Sequence, residues 1–290
     1  MTIMMIRIFS SFCSSENCKE VYERLCEVHK MPNYGPDRSF YITSGDDYTH
    51  AIIVNTAMPQ LKPGIPKSHV IGLAYEPPPF LGLTLQFVEY ARKYIGTYYI
   101  GEKGNLPEPF VEHYGYMWHI TPLRTLPSTK HNLISIMVSQ KTNAPGHQYR
   151  HALVQQILRS DLPIDIYGRG CRYYKADSRI KGDFTEREPY ESYQFHICIE
   201  NFQTPHYFSE KITNTLLCGT TPIYWGAKHI DEYFPTMVHV LSGNVQEDMK
   251  LLHELVKNPD AFRKMIDVSA VKSKISLLEN LQHVYAKIYN

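Results

Sequence analysis

Short apolar runs alternate with helix-like stretches along almost the whole chain. In the first half, MMIRIFSSF (4–12), FYITSG (40–45), AIIVNTAM (51–58), HVIGLAYE (69–76) and TYYIG (97–101) are dense in β-branched and aromatic residues, which predicts strands. Between them, a Ser15-capped segment to about Val28 and the segment Leu85 to Tyr94 carry helical spacing. The second half repeats the scheme. NLISIMVSQ (132–140), PIDIYG (163–168), FHICI (195–199), TPIYW (221–225) and MVHVLSG (237–243) predict strands, and His147 to Ser160 and Val245 to Val256 predict helices. Nearly continuous apolar strands separated by helices predict parallel sheets covered on both faces, an α/β fold.

TPLRTLPSTKHN (121–132) interrupts the alternation with two prolines and small polar residues. Taking it as a link divides the chain into domains 1–125 and 126–268. In the remainder, 269–290, Val271, Ile275, Leu278, Leu281, Tyr285 and Ile288 recur at steps of three and four, the stripe of one amphipathic helix packing back on the body.

Composition narrows the functional classes. The 290 residues are 43% hydrophobic, enough to fill two cores. Thirty basic and 29 acidic side chains give a formal charge of +1, which argues against broad capture of nucleic acid or an anionic membrane. Any anion site is therefore local. The six cysteines show no CxxC pair and no His at zinc-ligand spacing, so they read as free thiols, several buried, in a reducing compartment. No run approaches the ~20 apolar residues of a membrane span, and the N-terminus reads as a core strand rather than a signal peptide, so the expected location is cytoplasmic. GxxxxGK[ST], GxGxxG, GxSxG and HExxH are absent. His147 and His151 lie four apart on a predicted helix, but no third ligand accompanies them and they read as a solvated face.

The densest chemistry lies in 193–226. The strand FHICI ends in Glu200 and Asn201, where ligands of open α/β sheets sit. Ser209 then precedes Glu210, Lys211, Ile212, Leu216 and Leu217 as the N-cap of a helix whose free N–H groups and dipole favour an anion. A lysine in a first helical turn opposes that dipole, so the placement of Lys211 makes better sense if something negative binds nearby.

This stretch, FHICIEN (195–201), YFSEK (207–211) and GTTPIYWG (219–226), resembles the signature of the α-1,3/1,4-fucosyltransferases of glycosyltransferase family ten, in a compact bacterial or viral form. The resemblance implies a GT-B fold, two Rossmann-like domains facing a central cleft, with the acceptor bound by the first and the nucleotide sugar by the second. It implies inverting, metal-independent transfer of fucose from GDP-fucose to a glycan hydroxyl, as in protein glycosylation, with no further cofactor. Glu76, before Pro77, Pro78 and Pro79, stands where the family carries its proposed general base, and Glu210 would steady positive charge at the anomeric carbon. Arg150, in SQKTNAPGHQYR (139–150), matches the arginine that grips the pyrophosphate, a task suited to its planar fork. Lys211, Ser209, Asn201 and Tyr207 match donor-side positions, Glu200 either contacts the donor or ties the loop, and Arg169 in IYGRG is a third cation.

The sequence departs from the pattern at Phe202, Gln140 and Ser209, which leaves donor and acceptor identity open. Two alternatives stand beside fucosyl transfer: the same fold with another donor, such as a UDP-pentose like UDP-xylose, or a non-catalytic glycan- or nucleotide-binding module.

Overall fold

A computed structural model describes residues 4–28, 40–121, 123, 125–127 and 129–286. The chain forms two compact units, residues 1–117 with 275–290, and residues 118–274.

Unit 1 is built on β1 (Met4–Ser10), β2 (Phe40–Thr43), β3 (His50–Val54), β4 (Val70–Leu73), β5 (Thr97–Ile100) and β6 (Phe110–Glu112). All pair in parallel in the order β2-β1-β3-β4-β5-β6. Ala51 to Val54 and Val70 to Leu73 are buried throughout, as strands covered on both faces require. Helices α1 (Ser15–Val28), α2 (Pro78–Leu81) and α3 (Leu85–Tyr94) connect them. The cap of α1 is Ser14 rather than the expected Ser15: Ser14 Oγ accepts from Asn17 N at 3.2 Å, whereas Ser15 Oγ donates to Ile8 O. α3 is capped by Thr84 and buries Phe87 edge-on against Tyr98.

Unit 2 is built on β7 (Asn132–Met137), β8 (Ile164–Tyr167), β9 (Ile180–Gly182), β10 (Tyr193–Ile199), β11 (Thr221–Trp225) and β12 (His239–Val240), all parallel, in the order β12-β11-β10-β7-β8-β9. Counted within the unit this is the doubly wound order 3-2-1-4-5-6, whose switch point lies between β7 and β10. Its helices are α4 (Pro145–Leu158), α5 (Glu188–Glu191), α6 (Glu210–Leu217), α7 (Ile230–Tyr233), α8 (Val245–Lys257), α9 (Pro259–Phe262) and α10 (Val268–Ile275). One core joins Ile134, Ile136, Phe195, Ile197 and Ile223 to Leu153 and Ile157 of α4 and Leu252 and Leu255 of α8.

Several expectations are corrected. The stretch read as a link is fastened to unit 2: Lys130 Nζ donates to the carbonyls of Glu191 and Cys218 at 2.9 Å and to Thr220 Oγ1 at 2.7 Å, and Ile120 N donates to Asn214 Oδ1. The polar stretch between β8 and α5 contains β9 and is pinned by Arg179, whose guanidinium caps α4 by donating to the carbonyls of Ile157 and Leu158 while gripping Asp177. The single C-terminal helix is two, α10 and α11 (Leu277–Ala286), because Ser276 Oγ accepts from Glu279 N and starts a new helix. The anticipated stripe residues Val271, Ile275, Leu278, Leu281 and Tyr285 are buried; Ile288 lies outside the described residues. Among the described residues no helix is long and apolar enough to cross a membrane, and Cys13, Cys18, Cys171, Cys198 and Cys218 are free thiols.

Candidate functional site

The carboxyl ends of β7 and β10 diverge at the switch point of unit 2, and the polar residues after each strand gather there. β10 runs directly into Glu200, which is fully buried, and its N–H stays tied to Trp225 O at 2.8 Å. On the other side α4 begins with Pro145 and Gly146. A Cβ at Gly146 would lie 1.7 Å from Glu200 O, and Gly146 N donates to Asn201 O at 2.9 Å. Only glycine lets the start of α4 approach the end of β10 this closely. One turn later, Arg150 is 5% exposed and its guanidinium donates to Ile199 O.

The start of α6 completes the cluster. Ser209 caps the helix with its Oγ, while its own N–H and Oγ donate to Glu200 at 2.7–2.9 Å. Lys211 Nζ lies 2.8 Å from Ser209 Oγ and 3.3 Å from both Glu200 Oε2 and Glu210 Oε1. The negative charge expected to bind beside this first-turn lysine is supplied instead by the chain's own Glu200 and Glu210. Burial by itself pulls the Lys211 ammonium down, but Glu200 and then Glu210 outweigh it and hold its pKa above the ordinary lysine value. For Glu210, burial pushes upward, but Lys211 and the group's own backbone N–H hold the carboxyl below its ordinary range. Arg150 is drawn down by burial, against the opposing pull of Glu200 and Glu210. Two cations and two anions nearly cancel here.

Arg150, Arg169, Glu210 and Lys211 line one pocket of about 370 Å³, which also takes in Ser139 to Lys141 after β7, Phe184, and the floor of β10. Arg169 is exposed on the turn after β8. Four other predicted residues stand behind this wall. Glu200 and Ser209 hold Lys211 from below, Tyr207 is 4% exposed with its N–H on Thr204 Oγ1, and half-buried Asn201 hydrogen-bonds His147. Their places suit positioning more than contact.

The expected solvated His147/His151 face is not there. His147 is 2% exposed, with burial, then Arg150 and Lys141, lowering its pKa to about 4, and His151 is held between Ser139 O and Tyr174 OH. Lys141 and Phe184 were not singled out from sequence. Lys141, two residues past Ser139, carried a signal in its position after a buried strand; Phe184, in a polar turn, carried none. His196 in the floor is fully buried, with burial lowering its pKa to about 3. Ser135 Oγ donates to Pro189 O, which leaves its lone pair for His196 Nδ1–H and makes Nε2 the bare acceptor.

Glu76 belongs to unit 1. The strand expected to close on it stops at Leu73, and the next two residues are fixed one by one. Ala74 N donates to Tyr99 O at 2.9 Å, Tyr75 N to Asn55 Oδ1 at 2.8 Å, and Tyr75 OH meets Tyr22 OH at 2.9 Å. Asn55 adopts φ 55°, a left-handed conformation that asparagine tolerates better than most residues. A Cβ at Gly115 would lie 2.2 Å from Ala74 O, so that loop packs directly on the segment. Glu76 itself is half-buried, and the prolines after it start α2, with Pro78 at its first position, rather than only stiffening a loop.

Residues 127–281, just over half of the chain, match the family model described as glycosyltransferase family 10 (fucosyltransferase) C-term. A fucosyltransferase-like protein of Arabidopsis thaliana is 24% identical over 170 residues, covering 52% of this chain and 31% of that protein. The chain spans about a third or less of the length of the curated relatives it matches. The solved structure of an α1,3-fucosyltransferase with GDP has a TM-score of 0.56 at 12% identity, covering 99% of this chain and 90% of that one. HepE of Anabaena in complex with UDP-glucose gives 0.61 at 10% identity, covering 98% and 99%. The fold is GT-B, with two Rossmann-like domains.

Proposed function

Because the chain belongs to glycosyltransferase family 10, we propose that it is an inverting, metal-independent glycosyltransferase moving fucose from GDP-fucose to a hydroxyl of a glycan acceptor. The observation that carries the reading is the convergence of Arg150 and Lys211 on one pocket at the switch point of unit 2, where doubly wound sheets bind nucleotides. Arg150 offers the diphosphate a planar fork and Lys211 a point charge, with Arg169 and Lys141 at the rim. The acceptor hydroxyl attacks the anomeric carbon from the face opposite the diphosphate while Glu76 takes its proton. The bond from that carbon to the phosphate oxygen breaks, the electron pair leaves with GDP, and the configuration inverts. Glu210 faces the positive charge that builds at the carbon, and fixed cations receive the negative charge that departs. Glu200, Ser209, Asn201 and Tyr207 keep this wall in place. Buried free thiols at Cys171, Cys198 and Cys218 suit a reducing, cytoplasmic setting.

Both GDP and UDP-glucose occur in structures of this fold, so the donor is tested directly. Thermal unfolding is followed with GDP, UDP and ADP, where a ligand at a hundred times its dissociation constant adds about 2.7 kcal/mol. Stabilisation by GDP is expected. Stabilisation by UDP alone overturns the donor, and activity that chelator abolishes and manganese restores overturns the metal-free mechanism.

A further inference from the structure

Cys13 and Cys18 have a use that sugar transfer does not require. Their sulfurs lie 3.3 Å apart across the first turn of α1. Cys18 is fully buried, whereas Cys13 is half-buried on the approach to the helix beside Phe12, which is 53% exposed. Ser14 sits between them as the cap, accepting from Asn17 N through Oγ and from Cys18 N through its carbonyl. A disulfide needs its sulfurs about 2.05 Å apart, so closure requires an approach of about 1.3 Å, within reach of a side-chain turn at a helix start.

We propose that Cys13 and Cys18 form a redox-modification site, a dithiol that closes to an internal disulfide by exchange with a small disulfide such as oxidised glutathione. The exchange balances in two steps. The Cys13 thiolate attacks one sulfur of the small disulfide, releasing one small thiolate and forming a mixed disulfide. Cys18 then attacks the Cys13 sulfur, the mixed bond breaks, and the second small thiolate leaves. Two protons pass to solvent or to the leaving thiolates, the protein dithiol is oxidised, and the small disulfide is reduced. Burial, then its hydrogen bond to Cys13, pushes the Cys18 thiol up to about 12, which makes the more accessible Cys13 the attacking group and Cys18 the resolving one.

The site is placed to be felt elsewhere in unit 1. Tyr22 lies one turn after Cys18 on the same helix face, and its hydroxyl meets that of Tyr75, the residue before Glu76, at 2.9 Å. Drawing Cys18 toward Cys13 shifts the turn that carries Tyr22 and loosens the segment that orients Glu76. This consequence for turnover rests on the reading of Glu76 as the base; the dithiol itself does not.

The test uses the full chain equilibrated in glutathione buffers of graded reduced-to-oxidised ratio, then alkylated and digested with trypsin. Both cysteines fall on peptide 8–19 and Cys26 falls on peptide 25–30. Peptide 8–19 is expected to lose two hydrogens as the buffer becomes oxidising and to regain them with dithiothreitol, with turnover falling and recovering in step. Cys13→Ser is expected to abolish both responses. A peptide that stays reduced, one that stops at a glutathione adduct, or a cross-link to peptide 25–30 overturns the proposal, and unchanged turnover at full closure overturns its coupling to Glu76. Failure of the Glu76 reading is distinguishable, because it leaves Glu76→Gln active and the mass change of peptide 8–19 intact.

Discussion

Lys211 Nζ sits 3.3 Å from Glu200 Oε2, and the carboxylate it pairs with is fully buried. Ser209 supplies that carboxylate with two further donors, its N–H and its hydroxyl, so the charge inside unit 2 is matched on several sides. The pair fixes the ammonium at the pocket wall before any donor arrives. On the proposed function, such preorganisation would lower the cost of meeting a departing diphosphate, because the positive groups need not reorient when charge develops.

Removing the ammonium should therefore cost stability as well as binding. Lys211→Met leaves Glu200 buried with an unbalanced charge, and breaking a buried pair from one side costs about 3–5 kcal/mol. Combining it with Glu200→Gln, which keeps an acceptor for Ser209, should restore at least half of that loss in denaturant unfolding while nucleotide binding stays weak. A single variant as stable as the parent contradicts the pairing.

That cluster was readable because Glu200, Ser209 and Lys211 fall within twelve residues, joined by a strand end and a helix cap that each have sequence signals. The role of Glu200 was not, because whether it faces the donor or supports Lys211 depends on packing that no spacing records. The His147/His151 pair misled for a related reason. Helical spacing puts both on one face, but Gly146 lets α4 settle against the end of β10 and buries that face. The three-residue strands β6 and β9 are too short to carry a period, and their pairing depends on neighbours distant in sequence. The broken C-terminal helix was missed because the apolar stripe runs on through Ser276 in register.

Gly146→Ala tests the close approach. Its Cβ would meet a backbone carbonyl at 1.7 Å, so α4 or β10 must move, and the cost should reach about 3 kcal/mol, the upper end for overpacking. Because Arg150 follows one turn later, nucleotide affinity should fall with stability. Calorimetry and titration on the same preparation measure both, and an alanine variant that melts and binds like the parent rules the contact out.

Two histidines of unit 2 set an acid limit. His147 and His196 have folded pKa values of about 4 and about 3, chiefly through burial, below the ordinary 6.5 of the unfolded chain. Between those values the unfolded state binds protons that the folded state refuses. Stability is thus complete above pH ~6.5 and falls as the pH drops through the window, by up to about 1.4 kcal/mol per pH unit for each histidine. Urea unfolding at pH 7 and pH 5 should show the loss, and His147→Asn should flatten the slope by its own share, up to about 1.4 kcal/mol per pH unit. An unchanged slope in that variant removes His147 as a source.

Glu76→Gln separates chemistry from binding most directly. The pocket residues all belong to unit 2 and Glu76 to unit 1, so the amide should leave nucleotide affinity as it is. The side chain is half-buried at a turn, and an isosteric change there should alter stability by no more than about 0.5 kcal/mol. Turnover should nonetheless fall by about two orders of magnitude or more, the scale of a lost general base. A variant with weakened nucleotide binding points to misfolding instead, and one with full turnover assigns the proton to another group.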